Sequence, residues 1–191
     1  MTRIIAGEHG GRKLSAPAGA QTRPTADRVR EAFFSALETM TPLAGARFAD
    51  LYAGSGAVGL EALSRGASHA LLVESDARAA RVIRDNIVTL RLEPAARLVT
   101  GRVAQVLESP PEGGPYDVVF ADPPYALTDD EVAEVQRALV ANDWLAEDAV
   151  VVFERSTRTA VRGQPLSWVD GVTADRSRRY GETTLWYGRR S

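Results

Sequence analysis

The 191-residue sequence predicts an α/β fold, a mostly parallel sheet covered by helices on both faces, with a small β-hairpin in front. Three observations predict it. From residue 47 onward, short continuous apolar runs alternate with amphipathic stretches, which is the pattern of parallel strands buried on both sides. A glycine-rich turn joins the first of those strands to the first of those helices. The end of the chain breaks the alternation with two strand-like runs and no helix between them.

The elements follow in order. Residues 3–15, RIIAGEHGGRKLS, read as a strand, a turn at Gly10-Gly11 and a second strand. Residues 16–24 are rich in Pro, Gly and Ala and read as an extended linker. Thr25 caps a helix running through DRVREAFFSALETM, with Val29, Ala32, Phe33, Ala36, Leu37 and Met40 as its buried stripe. Then come the strand RFADLY, the helix VGLEALSRG, the strand HALLVES and the helix ARAARVIRDNIVTLR. ARLVTG and YDVVFAD are the third and fourth strands, DDEVAEVQRALVAN a helix and DAVVVFERS the fifth strand. LSWVDGVTADRSRRYGETTLWYG supplies an antiparallel pair that closes the sheet edge.

Composition removes several function classes. No cysteine is present, so disulfide scaffolds, thiolate metal sites and cysteine nucleophiles are excluded. His9 and His69 are the only histidines, too few for a histidine-rich metal site, and no metal is expected. The N-terminus is too polar for a signal peptide, and no apolar run approaches the ~20 residues that cross a bilayer. A soluble, cytoplasmic protein with no membrane partner is expected.

The net charge of −2 conceals an uneven distribution. Residues 1–30 set six basic residues against two acids, for +4, and residues 155–191 set eight arginines against three acids, for +5. The stretch between them sets nine arginines against twenty acids, for −11. Two basic ends on an acidic body suggest a polyanion touching the ends.

Asp50-Leu-Tyr-Ala53-Gly54-Ser55-Gly56-Ala-Val-Gly59 is a strand end, a glycine turn and a helix start. Glu74 stands at the end of the next strand, where a carboxylate can accept both hydroxyls of a ribose. Nicotinamide dinucleotides and S-adenosylmethionine both fit that arrangement. Asp50 separates them: a carboxylate there suits the methionine ammonium and would repel a pyrophosphate. The expected cofactor contacts are Asp50, Ala53, Gly54, Ser55, Gly56, Glu74, Ser75 and Asp122, with Arg102 and Val103 near the adenine edge.

Asp122-Pro123-Pro124-Tyr125 follows the fourth strand, where open α/β sheets bind their ligands. An exocyclic amine on a nucleobase is a poor nucleophile because its lone pair is delocalised into the ring. Two acceptors aimed at its hydrogens favour the pyramidal, reactive form. The Asp122 carboxylate and the Pro123 carbonyl can supply them. The prolines stiffen the loop, and Tyr125 offers a face on which a flipped-out base can stack.

These residues resemble the class I methyltransferases that carry a [DN]PP[YF] motif. Thr22-Arg23-Pro24-Thr25-Ala-Asp27-Arg28-Val29-Arg30-Glu31-Ala-Phe33-Phe34 is similar to the N-terminal signature of the RsmD family. Arg3-Ile-Ile-Ala-Gly7, Gly11-Arg12-Lys13-Leu14 and Tyr180-Gly181-Glu-Thr-Thr-Leu-Trp-Tyr187 resemble that family's opening hairpin and closing strands. The resemblance implies a Rossmann-like seven-stranded sheet with the last strand antiparallel. It implies residues 1–24 as hairpin extension and linker, and residues 25–191 as the S-adenosylmethionine-dependent domain. The implied activity is methylation of a guanine N2 in 16S ribosomal RNA. The small number of basic residues suggests a protein-bound particle, a small subunit or an assembly intermediate, as substrate, and a monomer is the default expectation. Arg23, Thr25, Arg28 and Arg30 would sit by the substrate entrance. Arg3, Arg12, Lys13, Arg178 and Arg179 are the further candidates for RNA contact. The third-strand loop has no acid to meet the adenine amine, which implies a contact through backbone alone.

An adenine-N6 methyltransferase acting on DNA or RNA shares the tetrad and the mechanism. The small N-terminal addition argues against it, because so small an extension suits a substrate with its own shape. A nicotinamide oxidoreductase lacks any evident proton relay, the one lysine being Lys13. A catalytically silent RNA-binding protein would not need Asp122 and Tyr125. His9 is expected to be an ordinary exposed histidine and His69 a structural one. Trp144, Trp168 and Trp186 read as packing residues. Glu61 is expected on the surface or in a supporting role, and Arg78, Arg81 and Arg84 as a solvated helix face.

Overall fold

The computed structural model describes residues 2–19, 24–156 and 165–191. Its main sheet has seven strands in the order β5-β4-β3-β6-β7-β9-β8. These are β3 (Arg47–Leu51), β4 (His69–Glu74), β5 (Ala96–Thr100), β6 (Tyr116–Ala121), β7 (Leu145–Ser156), β8 (Val172–Tyr180) and β9 (Thr183–Arg190). β3 to β7 are parallel, and β9 lies antiparallel between β7 and β8. The last strand is antiparallel as expected, and β8 forms the edge. A separate pair, β1 (Thr2–Arg3) and β2 (Lys13–Leu14), is the N-terminal hairpin.

The parallel strands are nearly continuous apolar runs because both faces are covered. Phe48, Leu72, Phe120 and Val152 point into one core with α1 (Pro24–Met40), α2 (Ala57–Ser64) and α3 (Ala77–Thr89). Ala49, Leu71, Val119 and Val151 point into the other, with α4 (Val103–Val106) and α5 (Asp129–Ala141). Sequence order runs outward from β3 to β5 on one side and from β6 to β7 on the other. The strand order therefore reverses between β3 and β6, and a crevice opens beyond the carboxyl ends there.

α1 begins at Pro24, so Thr25 occupies the second helical position and is not the cap expected for it. Proline suits a first helical position, whose N–H has no partner within the helix. Further along α1, Phe33 packs 4.9 Å from Phe120 and 6.3 Å from Tyr187, which fastens the helix to the sheet. α5 is opened by a reciprocal capping box between Thr128 and Glu131.

The hairpin is held by a buried carboxylate. Glu61 on α2 is fully buried, not on the surface. It accepts hydrogen bonds from the Ile5 and Ala6 amides at 2.8 and 3.0 Å, and pairs with Arg30 at 3.6 Å and Arg65 at 2.9 Å. Gly7 follows with φ +83, and a Cβ there would lie 2.0 Å from the Ser64 carbonyl oxygen. Only glycine fits this approach. Ile4 and Leu14 complete the docking inside the core beneath α1.

Candidate functional site

Four strand ends, those of β3, β4, β5 and β6, and two helices build the crevice at the switch point. The turn after β3 places Gly54 at φ +60 with nothing within 4 Å of where a Cβ would be. That leaves the backbone free to approach a ligand. Glu74, at the end of β4, fixes this turn: its Oε1 accepts the Gly54 amide at 2.8 Å and its Oε2 the Asp76 amide at 2.8 Å. Each oxygen keeps a lone pair for a ligand hydroxyl. Tyr52, at φ 62, holds a left-handed conformation that costs a non-glycine residue about 1–3 kcal/mol. It lines the crevice, and burial pushes its phenol up to about 12, so it stays neutral.

The crevice encloses about 600 Å³. Of the expected cofactor contacts, Glu74, Ser75, Arg102, Val103 and Asp122 are among its lining residues. Tyr52, Leu107, Leu127, Glu131, Glu134 and Val135 line it too, and sequence reasoning passed them over. Leu107, at the end of α4, and Val135, on α5, read in the sequence as ordinary stripe residues, and only the close approach of the two helices makes them a wall. Arg102 opens the one-turn helix α4, where the sequence suggested a loop.

Asp50 departs from its expected contact. It is 1 % exposed, absent from the crevice lining, and its Oδ2 accepts the Gly59 amide at 2.9 Å. Burial raises its pKa well above the usual carboxylate range, against the opposing Gly59 hydrogen bond. The carboxylate ties the end of β3 to the first turn of α2. A Cβ at Gly59 would lie 2.9 Å from the Leu72 side chain, so any larger residue there would have to displace it. Ala53, Gly54, Ser55 and Gly56 form the same turn without lining the cavity. The Ala53 amide bonds the Val73 carbonyl, and the Ser55 carbonyl accepts from Asn86.

Asp122, Pro123, Pro124 and Tyr125 leave β6 beside the end of β7. A second cavity, of about 200 Å³, is lined by all four, with Glu154, Arg155, Ser156 and Thr183. Asp122 and Pro124 belong to both cavities and form the wall between them. Tyr125 is 74 % exposed, one of two large hydrophobic side chains so exposed among the described residues. Arg155 reaches back from β7 to the Leu127 carbonyl at 3.0 Å and to Asp129 at 3.4 Å, which pins the loop after the tetrad.

Two carboxyls meet in the smaller cavity. Loss of solvation pushes Asp122 up to about 6, against the lowering effect of Arg155. Loss of solvation, then the charge of Asp122, pushes Glu154 up to about 8. Asp122 is crowded by the crevice walls yet open to the space between them. Water entering that space screens it, so the rise is fullest when the crevice is filled. Glu154 was not singled out in the sequence, where it reads as the end of an apolar strand.

Among the RNA candidates, Arg3, Arg12, Lys13, Arg28, Arg178 and Arg179 are exposed. Arg12 also donates to the Thr89 carbonyl at 3.1 Å. Arg30 does not belong with them. It is 7 % exposed, its guanidinium donates to the Arg3 carbonyl, and it pairs with Asp27 and Glu61. Arg23 lies outside the described residues, as does the Thr25 side chain. His9 is half-buried, its amide bonded to Ser64, and His69 shares a hydrogen bond with Tyr116. No group of side chains among the described residues could hold a metal ion, and no helix among them is long and apolar enough to cross a membrane.

A family model described as conserved hypothetical protein 95 matches residues 2–189. Ribosomal RNA small subunit methyltransferase D of Escherichia coli (strain K12) is 37 % identical over 166 residues, covering 87 % of this chain and 80 % of that protein. A solved Escherichia coli structure, provisionally described as a methyltransferase, superposes with a TM-score of 0.84 at 33 % identity, over 99 % of this chain and 97 % of that one. The fold is also that of magnesium protoporphyrin IX methyltransferase from Synechocystis, solved with bound S-adenosylmethionine (TM-score 0.65, 14 % identity, 91 % of this chain and 87 % of that one). The glycine turn braced by Glu74, the tetrad at the switch point and a family match over nearly the whole length agree, and the chain belongs to the RsmD family.

Proposed function

We propose that this protein transfers the methyl group of S-adenosylmethionine to the exocyclic N2 amine of a guanine in small-subunit ribosomal RNA. The observation that carries the reading is the shared wall. Asp122 and Pro124 border the larger cavity on one side and the smaller cavity on the other. A cofactor in the first and a base in the second meet at Asp122. The named activity of the Escherichia coli relative supplies the substrate class.

The residues present fit the cofactor. Gly54 leaves open backbone, Glu74 keeps lone pairs for the ribose hydroxyls, and Val103, Leu107 and Val135 give the larger cavity apolar surface for an adenine. S-adenosylmethionine supplies an electrophilic methyl group on a positively charged sulfur. Asp122 accepts one hydrogen of the guanine amine and the Pro123 carbonyl the other, which localises the nitrogen lone pair. Tyr125 stacks on the base and keeps the amine at Asp122. As the nitrogen–carbon bond forms and the carbon–sulfur bond breaks, the amine loses a proton to Asp122 or to water. Asp50 maintains the turn beneath the cofactor. The substrate is RNA within a small ribosomal subunit or an assembly intermediate, and the protein acts as a cytoplasmic monomer.

The test is methyl transfer from labelled S-adenosylmethionine to small subunits from a strain lacking this gene, followed by nucleoside mass spectrometry. Label in N2-methylguanosine is expected. Label in N6-methyladenosine, or label only on duplex DNA, would overturn the assignment.

A further inference from the structure

Glu154 sits where the edge of a bound base would be read. β6 and β7 run parallel with Ala121 opposite Phe153, so Asp122 leaves β6 beside Glu154, which stays in β7 opposite Leu185 of β9. Alternation along β7 buries Phe153 in the core beneath α5 and turns Glu154 to the opposite face, onto the smaller cavity. There its carboxyl shares a wall with Asp122, Pro123 and Tyr125. It is half-buried, and the one charged group acting on it among the described residues is Asp122. A carboxyl partly withdrawn from water gains from a ligand that supplies a hydrogen-bond partner.

We propose that Glu154 reads the Watson–Crick edge of the target guanine beside the amine held by Asp122, and so selects guanine over purines that lack N1–H and O6. The inference rests on the reading of this chain as a guanine-N2 methyltransferase. Along that edge the atoms run N2, N1–H, O6. With N2 at Asp122, the neighbouring carboxyl meets N1–H and then O6. A protonated carboxyl matches both: its carbonyl oxygen accepts N1–H and its O–H donates to O6. Burial and the Asp122 charge favour the protonated form of Glu154. Adenine with its amine at Asp122 presents a bare N1 and a C2–H instead. The second hydrogen bond then cannot form, and the carboxyl oxygen faces carbon. No bond or proton changes at Glu154 during transfer. It positions and selects the base, while Asp122 serves the amine.

The experiment compares small subunits reconstituted with guanine or 2-aminopurine at the methylated position. 2-Aminopurine keeps the N2 amine but lacks O6 and the N1 proton. Wild-type kcat/KM should favour guanine by on the order of 10- to 100-fold, the range of one good bidentate contact. Glu154→Ala should bring the two substrates within a few-fold of each other. Glu154→Gln should restore the preference, because its amide presents the same acceptor and donor as the protonated acid. Binding of S-adenosylhomocysteine, followed by thermal shift, should be the same in all three proteins and reports that each is folded. An Ala variant that keeps the wild-type ratio, with both rates lowered equally, overturns the proposal. Failure of the underlying reading looks different: the wild-type protein then methylates neither purine at that position, and both readings fall.

Discussion

Arg30 and Glu61 lie 3.6 Å apart and both are buried, one on α1 and the other on α2. The same carboxylate also accepts the Ile5 and Ala6 amides and pairs with Arg65. One side chain thus joins the hairpin and two helices. Removing one member of such a group leaves the others buried and unpaired. Glu61→Ala is therefore expected to cost about 3–5 kcal/mol of folding stability. Urea denaturation measures it. A loss below about 1 kcal/mol, the range of exposed ion pairs, would show that the group adds little.

The same pair shows where the sequence is silent. Strand–helix alternation, the glycine turn and the tetrad are local signals, and the structure has each of them in place. The burial of Glu61 depends on a hairpin 55 and 56 residues earlier in the chain folding back across it. Within its own segment, LEALSRG, Glu61 looks like any polar residue on an amphipathic helix. Arg30 reads as part of a basic stripe for the same reason, although its partners come from the hairpin and α2. The outer wall of the crevice was hidden likewise. Leu107 and Val135 follow ordinary helical spacing, and only the approach of α4 to α5 turns them into lining. Tyr125 was legible because a stiff Pro-Pro pair leaves the ring little choice but to stand out.

Asp122 is the side chain asked to act during transfer and not before it. Asp122→Ala should lower kcat by on the order of 100- to 1,000-fold, as expected for removal of one well-placed transition-state partner. S-adenosylmethionine affinity should change no more than a few-fold, because Glu74 and the glycine turn remain. Calorimetric titration and single-turnover transfer separate the two effects. Wild-type turnover in this variant would remove Asp122 from the mechanism.

The exposed arginines can be sorted by salt. Removing one cation that neutralises a phosphate makes the slope of log affinity against log salt shallower by about 0.7–0.9. Charge reversal at Arg28, or at Arg178 with Arg179, should weaken binding of the ribosomal substrate and flatten that slope. Arg78→Glu, on the exposed face of α3, is the control and should leave it unchanged. Equal slopes in all of these variants would mean that the basic ends do not touch phosphate.

The two carboxyls of the smaller cavity predict a bell-shaped dependence of kcat on pH, a quantity that reports the ionisations of the substrate complex, in which the crevice is filled. Asp122 must be ionised to accept from the amine. Its raised pKa places the acid limb near 6, above the usual carboxylate range. Glu154 must keep its proton to donate to O6. Its own rise places the alkaline limb near 8, and activity falls as that proton leaves. Three groups meet at this point of the fold. Asp122 faces Glu154 from the loop after β6, Arg155 follows it on β7 and draws Asp122 down, and the apolar Leu185 lies opposite on β9. The limbs therefore belong to the carboxyls as a pair. Glu154→Gln cannot lose a proton at that position. It should move the alkaline limb upward and keep the acid limb, since Asp122 is untouched. An alkaline limb in the same place in Glu154→Gln would assign the fall to another group and leave Glu154 with no part in donating to the base.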